Sequence, residues 1–290
     1  MTRRSTAPEF IEALARGLDV IRAFQSGDRE LTLAELAGRV DLARPTVRRI
    51  LLTLEELGYV RAGARGYSLT ARVLDLGLAY VQSVGLWDVV APHLERLSRQ
   101  TGESCSIAEL DGSDVVYVAR VAVPKVVGLA VRIGTRFPAY ATSLGKVMLA
   151  ALGAKELDRV LRIPSRSEVR PLWQPTRAEL AADLAAVRTQ GWALTDEQLA
   201  KGIRSVGAPI RRPDGTVVAA VNVNTHVLET PVEHLVGHHL PRLLQARDAI
   251  EADLARLEAL PLRQRNHASS ARTLAAAGRP DGLARPSRRR

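Results

Sequence analysis

Residues 31–60 read LTLAELAGRVDLARPTVRRILLTLEELGYV. Thr32 stands ahead of LAELAGRV with Glu35 three residues on, a pairing in which hydroxyl and carboxylate close a helix start on one another. Leu33, Leu36, Ala37 and Val40 recur at helical spacing and predict the buried stripe of a short helix. A second helix is predicted from Pro45: proline suits a first helical position because its missing N–H leaves nothing unpaired, and the residue before it is steered away from helical angles. Val47, Ile50, Leu51, Leu54 and Leu57 form the core face of that helix, and Gly58 stops it. Arg44, Thr46, Arg48 and Arg49 are left facing outward at its front. Two short helices joined by a tight turn, the second led by arginines, predict a helix-turn-helix whose second helix enters the DNA major groove.

Working outward, EFIEALARGLDVIRAFQS at 9–26 places Ile11, Leu14, Ala15, Leu18 and Ile21 at helical spacing, predicting an amphipathic helix ended by Gly27. On the other side, YVRAGARGYSLT at 59–70 predicts two short strands around a glycine-containing loop, which in this position is a wing. Arg61 and Arg65 lie in it. From 70 to 86, Val73, Leu74, Leu78 and Val81 share one side of a predicted linker helix that can pair with its copy in a dimer.

The remainder alternates between the two periodicities. Helices are predicted at 87–101, 143–152, 154–162, 176–190 and 231–259, and strands at 103–110, 114–122, 127–132, 191–195, 205–211 and 216–224. DGSD at 111–114 and RPDG at 212–215 are hairpin turns, so the sheet should be mainly antiparallel and covered by helices, an α+β sensor-like domain. The expected organisation is a winged helix-turn-helix over 1–69, a linker helix over 70–86, an effector-binding domain over 87–259 and a basic tail over 260–290. In the tail, Arg, Ala, Ser, Pro and Gly dominate, which predicts disorder. It is read either as a solubilising extension or as a non-specific contact to DNA phosphate.

At 290 residues the chain suits two domains, and 46% hydrophobic with 25% charged residues is ordinary for globular proteins. No apolar stretch is long enough to span a bilayer and no signal-peptide core stands at the N-terminus, so a cytoplasmic protein without membrane contact is expected. With Cys105 as the single cysteine, intrachain disulfides and cysteine-rich metal sites are excluded. The formal charge of +10 is misleading as a sign of DNA binding. Residues 1–70 hold 11 basic and 9 acidic side chains, residues 71–260 hold 22 and 21, and residues 261–290 hold 8 and 1. The excess lies in the tail, so a DNA-binding reading must rest on local pattern.

That pattern is chemically suited to DNA. An arginine fork pairs with guanine O6 and N7, while N–H groups at a helix start hold phosphate. The candidates are Arg44, Arg48 and Arg49, with Pro45 setting the helix start, Thr46 touching phosphate or a methyl group, and Arg61 and Arg65 reaching from the wing. A plain three-helix packing unit with hydrated arginines is the competing account; the wing and the N-terminal placement count against it. Residues 31–60 with the hairpin and helix after them resemble the N-terminal domain of the IclR family of bacterial regulators. RIGTRFPAYATSLGKVMLAAL (132–152), GWALTDEQLAKGIRSVGAPI (191–210) and RRPDGTVVAAVNVNT (211–225) resemble that family's effector-binding domain in order and spacing. The resemblance covers about residues 10–258 and is nearest the Pca and Pob branch, regulators of aromatic-acid breakdown. It implies a winged helix joined to a GAF-like α/β domain, assembled as a homodimer or dimer of dimers on a palindromic operator, with RNA polymerase as a further contact.

The resemblance also implies an effector site. Thr142-Ser143-Leu144-Gly145-Lys146 reads as a helix start that offers free N–H groups and a favourable dipole to a small carboxylate, with Lys146 adding charge and Gly145 allowing close approach. A commonplace Ser/Thr cap explains the same residues. Family members hold effector at the positions matching Ser143 and Leu144, and Thr195, Asp196, Ser205, Asn222 and Asn224 match other family contacts. Asn222 and Asn224, two apart in VVAAVNVNT, point to one face of a strand, where buried amides need partners or a ligand. The family often has small hydroxyl residues there, so the larger amides suggest a bigger acid, aromatic or derived from ring cleavage. Arg132, Phe137 and Tyr140 either line the mouth or serve packing.

Enzymatic anchors are missing: there is no GxSxG, GxxxxGK[ST] or GxGxxG. An enzyme acting on a small acid, with an accessory DNA-binding head, is the alternative reading. Cys105 sits in a strand pattern and reads as a structural thiol. His234 and His238 have metal-ligand spacing, yet Leu235 stands where a metalloprotease needs glutamate, so a polar helix surface is expected and no metal or cofactor is assigned.

Overall fold

Helix α1 runs over Glu12–Arg22 and continues as a 3-10 turn over Ala23–Ser26, in a computed structural model that describes residues 7, 9–26, 30–77, 86–125 and 131–259. Of its apolar stripe, Ile11, Leu14 and Leu18 are exposed, while Ile21 packs partly buried against the core that Val20 and Phe24 enter. Periodicity identifies which residues share a face, but what covers that face is decided by the neighbouring elements. Here α2 (Leu33–Val40), α3 (Arg44–Glu56) and β1 (Val60–Ala62) build a small core from Leu36, Ala37, Val47, Leu51, Leu54 and Val60 that takes only one edge of α1. Leu57, expected in the core face of α3, is half-exposed at its C-cap.

The wing is a hairpin of β1 and β2 (Tyr67–Leu69), paired Val60 with Leu69 and Ala62 with Tyr67. Leu31 exchanges both backbone hydrogen bonds with Tyr67, at 2.9 and 2.8 Å, which ties the wing to the segment entering α2. Residues 73–77 are helical; the rest of the expected linker, 78–85, lies outside the described residues, as do Gly27 and the tail from 260. The chain divides into two compact units, 1–84 and 85–290. No helix among the described residues is long and apolar enough to cross a membrane.

In the second unit, α4 (Leu86–Thr101) leads into a six-stranded antiparallel sheet of order β5-β4-β3-β8-β7-β6. Its strands are β3 (Ser104–Asp111), β4 (Asp114–Val121), β5 (Arg136–Pro138), β6 (Ala193–Asp196), β7 (Ile203–Arg211) and β8 (Val217–His226). The hairpin turns expected at DGSD and RPDG join β3 to β4 and β7 to β8. Of the strand expected at 127–132, residues 127–130 lie outside the described residues, and 131–132 are not strand. The pairing partner of β4 starts at Arg136 instead, because a turn with Gly134 at φ 87° intervenes.

One face of the sheet packs Cys105, Ile107, Val206, Val221 and Val223 against α4 and α8 (Leu240–Ala259). The other packs Ala108, Val115, Tyr117 and Ala220 against α5 (Ser143–Ala151), α6 (Ala154–Leu161) and α7 (Arg177–Gln190). The expected α+β class, with an N-terminal winged helix-turn-helix and a second unit in which helices cover a mainly antiparallel sheet, is the architecture found.

Candidate functional site

The two helix starts in the DNA-reading unit differ. Thr32 accepts from the Glu35 N–H at 3.2 Å, and Glu35 accepts from the Thr32 N–H at 2.8 Å, so α2 satisfies its own first turn. Asp41 then adopts left-handed angles (φ 51°) to end it, and three residues separate α2 from α3. Helix α3 begins one residue earlier than expected, at Arg44, with Pro45 still inside the first turn, where no intrahelical acceptor is lost. Its N-cap, Ala43, offers no side chain, and the first turn holds no acid. Arg44, Arg48 and Arg49 are exposed there and make no ion pair with a described residue, while Thr46 is half-buried beside them. A helix start prefers negative charge by about 0.3–1 kcal/mol per group. Arginines gathered at an uncapped start therefore oppose the dipole, an arrangement that an external anion relieves.

On the wing, Arg61 Nε donates to Ser68 Oγ at 3.1 Å, which holds its guanidinium over the hairpin, and Arg65 is exposed in the loop.

In the second unit, α5 starts against the middle of the sheet. Thr142 caps it, Oγ1 accepting from the Gly145 N–H at 2.9 Å, and the Ser143 and Leu144 N–H groups have no protein partner among the described residues. A Cβ on Gly145 would lie 2.1 Å from the Ala139 carbonyl oxygen, so this glycine admits neighbouring backbone rather than a ligand. Gly207 on β7 plays the same part beneath Ser143, where an added Cβ would lie 2.9 Å from the Ser143 carbonyl carbon. Ser143, with no exposed surface, shares a hydrogen bond with Ser205 (Oγ–Oγ 2.8 Å), which shares another with Thr195 (2.8 Å). The register that pairs Ser205 with both Thr195 and Asn224 lines up two hydroxyls and an amide across β6, β7 and β8.

Beside this chain of hydroxyls lies a small recess, partly open to solvent. Thr195, Ser205, Asn222 and Asn224 line it, with Tyr117 and Thr142. Asn222 accepts from the Ser106 N–H through Oδ1 at 3.1 Å, so a neighbouring strand holds one end of its amide. Leu144 is packed in the core beneath α5. Asp196 is exposed and bound by both sides of the Arg204 fork, at 2.8 and 2.9 Å.

Lys146 was expected to lend its charge to the recess and does not. It is fully buried, its Nζ lies 2.7 Å from Asp183 Oδ2 and 4.4 Å from the Trp173 ring centre. Burial pulls its pKa down, and Asp183 offsets this in part. Tyr140 packs near Trp173 and Phe137 lies edge-on to Tyr117, so both serve packing.

Cys105 is buried and its thiol is pushed up to about 12 by burial, which makes it inert. The histidines cluster where five residues of π-helix, Leu235–His239, precede α8: His234 stacks on His238 at 4.5 Å, and His239 meets His234 edge-on at 4.9 Å. Buried His239 is held down to about 4 by desolvation, with the other two histidines, Arg242 and Lys125 adding to it. No group of three His, Cys, Asp or Glu side chains among the described residues is placed to hold a metal ion.

The sequence reading missed Arg120. It lies on β4 opposite Ser106, which in turn lies opposite Asn222, and its Nη1 donates to Ser106 Oγ at 3.0 Å. The signal was faint: one arginine in the apolar run VVYVARV.

Two family models match the chain. One, described as the bacterial transcriptional regulator IclR C-terminal, matches residues 78–251, and the other, the IclR helix-turn-helix domain, matches residues 13–63. The Pca regulon regulatory protein of Pseudomonas putida is 40% identical over 243 residues, 82% of each chain. A crystal structure of a candidate transcriptional regulator from Rhodococcus sp. RHA1 is 45% identical with a TM-score of 0.75, covering 86% of this chain and all of that one. Another, an IclR homolog from Microbacterium hydrocarbonoxydans complexed with 4-hydroxybenzoate, is 26% identical with a TM-score of 0.72 over 83% of this chain and 98% of that one.

Proposed function

Because the chain belongs to the IclR family of bacterial transcriptional regulators, we propose that it grips a palindromic operator through the front of α3 and answers to a small carboxylate held in the recess. It is a regulator, related to the Pca and Pob regulators, and not an enzyme. Arg44, Arg48 and Arg49 reach base edges or phosphate, Pro45 sets the helix start, Thr46 touches backbone or a thymine methyl, and Arg61 and Arg65 hold phosphate from the wing. The acid-free first turn of α3 carries this reading, since its exposed arginines, with no ion pair among the described residues, call for an anion.

The effector is an aromatic acid or a ring-cleavage product, as the 4-hydroxybenzoate in the Microbacterium homolog suggests. Ser205 and Thr195 supply hydroxyls, Asn222 and Asn224 supply amides, Ser143 and Leu144 offer free N–H groups, and Asp196 with Arg204 closes the end of β6. Effector acts through differential affinity for two arrangements of a homodimer or dimer of dimers, altering the spacing of paired recognition helices. Binding of promoter DNA from upstream of the gene, measured against random duplex across salt with and without candidate acids, tests the whole. Equal affinity for both duplexes under every condition defeats it.

A further inference from the structure

With Lys146 committed to Asp183, the hydroxyls and amides around the recess provide hydrogen bonds but no positive charge. Moving a carboxylate out of water without a counter-charge is costly. A further cation on this face of the sheet is Arg120, which stands behind the lining residues rather than among them. Directly opposite residues of an antiparallel pair share a face, so Arg120, Ser106 and Asn222 form one row across β4, β3 and β8. A register shift between Ile107 and Ala108 places Tyr117, which lines the recess, on the same face as Arg120 three residues on. Ser106 joins the two ends: its hydroxyl accepts from Arg120 Nη1 and its N–H is held by Asn222.

Arg204, Arg136 and Lys125 in the same unit each meet a carboxylate, whereas Arg120 has no ion pair among the described residues, and its Nε is buried without a partner. Desolvation lowers its pKa with no carboxylate to offset it. We infer that the Arg120 guanidinium is the counter-ion for the effector's carboxylate at the β4 side of the recess, with Ser106 fixing its orientation. This rests on the proposal that the recess takes an acid.

Calorimetric titration of the full chain with 4-hydroxybenzoate, 3,4-dihydroxybenzoate and adipate, each beside its neutral amide, tests the assignment. The wild-type protein should favour at least one acid over its amide by about thirtyfold or more, and Arg120→Gln should bring that ratio below about threefold. Arg120→Lys should restore part of it. Ser106→Ala, which leaves the charge but frees the fork, should lower the ratio by a smaller factor and serves if Arg120→Gln does not fold. An acid preference that survives Arg120→Gln, or a wild-type ratio near one, overturns the role of Arg120 while leaving the recess as a ligand site. Failure of all three acids to bind defeats the acid-sensing proposal itself.

Discussion

The starts of α3 and α5 both present the positive end of a helix dipole, and they are built in opposite ways. Helix α3 opens on Ala43 with no cap, exposes arginines and has no acid in its first turn. Helix α5 opens on Thr142, which caps it, and every residue from Ser143 to Ala150 is buried. The same backbone dipole thus serves two surroundings. Outside, charge stays hydrated until a polyanion arrives, so binding is strong in total and sensitive to salt. Inside, the surroundings are neutral hydroxyls and amides, and the cation at hand, Lys146, has been given to Asp183.

The largest effect should come from disturbing the packed start. Gly145→Val places a branched side chain where even a Cβ would sit 2.1 Å from the Ala139 carbonyl oxygen. Destabilisation of about 4 kcal/mol or more is expected, in the range of overpacked buried backbone, visible as a lowered melting temperature or loss of soluble protein. A near-native melting curve would mean that α5 is not seated as tightly as described. At the exposed start, Arg48→Ala with Arg49→Ala should leave the melting temperature nearly unchanged. Operator affinity should fall by about 2–4 kcal/mol in total if both reach bases, or the salt slope should shrink by about one per residue if they hold phosphate. Footprints identical to wild type would remove both from the interface.

An intermediate effect comes from His239, which belongs to the buried side of the contrast. Its folded pKa, about 4, is below the ordinary 6.5. Below pH 6.5 the unfolded chain takes up the proton first, so stability is lost as pH falls from about 6.5 towards 4, by up to about 3 kcal/mol for the full difference. At pH 7 the group is neutral in both states and contributes nothing. Between pH 7 and 4.5 the wild-type melting temperature should fall more than that of His239→Gln, and parallel curves would show that His239 is not the group being titrated.

Much of this contrast was legible beforehand, for identifiable reasons. The capping box at Thr32 and Glu35, the outward arginines of α3 and the hairpin turns at 111–114 and 212–215 are local signals, set by residues three or four apart. What was not legible depends on partners far along the chain. Ile11, Leu14 and Leu18 form a clean helical stripe, yet the small core of the first unit does not reach them. Asp183 lies on α7 and claims Lys146 across the interior, which nothing near Lys146 announces. Arg120 acquires its place from Ser106 on the next strand and Asn222 beyond that, a row that exists only once the register is fixed. Even the bulge that turns Tyr117 and Arg120 to one face is invisible in the run VVYVARV.

The smallest predicted effect separates a buried charge that is structural from one that serves a ligand. Lys146→Met keeps the long apolar stem against Trp173 and removes the ammonium, leaving Asp183, whose side chain is 32% exposed and can regain water. Removing one member of a buried pair costs about 3–5 kcal/mol when it strands the other, but the Asp183 side chain reaches solvent and escapes most of that penalty. A change in stability under about 1.5 kcal/mol is therefore expected, with the response to acids intact. Asp183→Ala should cost more, since it strands a cation with no exposed surface of its own. Should Lys146→Met abolish acid binding while the fold persists, the charge behind α5 would matter to the ligand after all, and the contrast between the two helix starts would narrow to a difference in exposure alone.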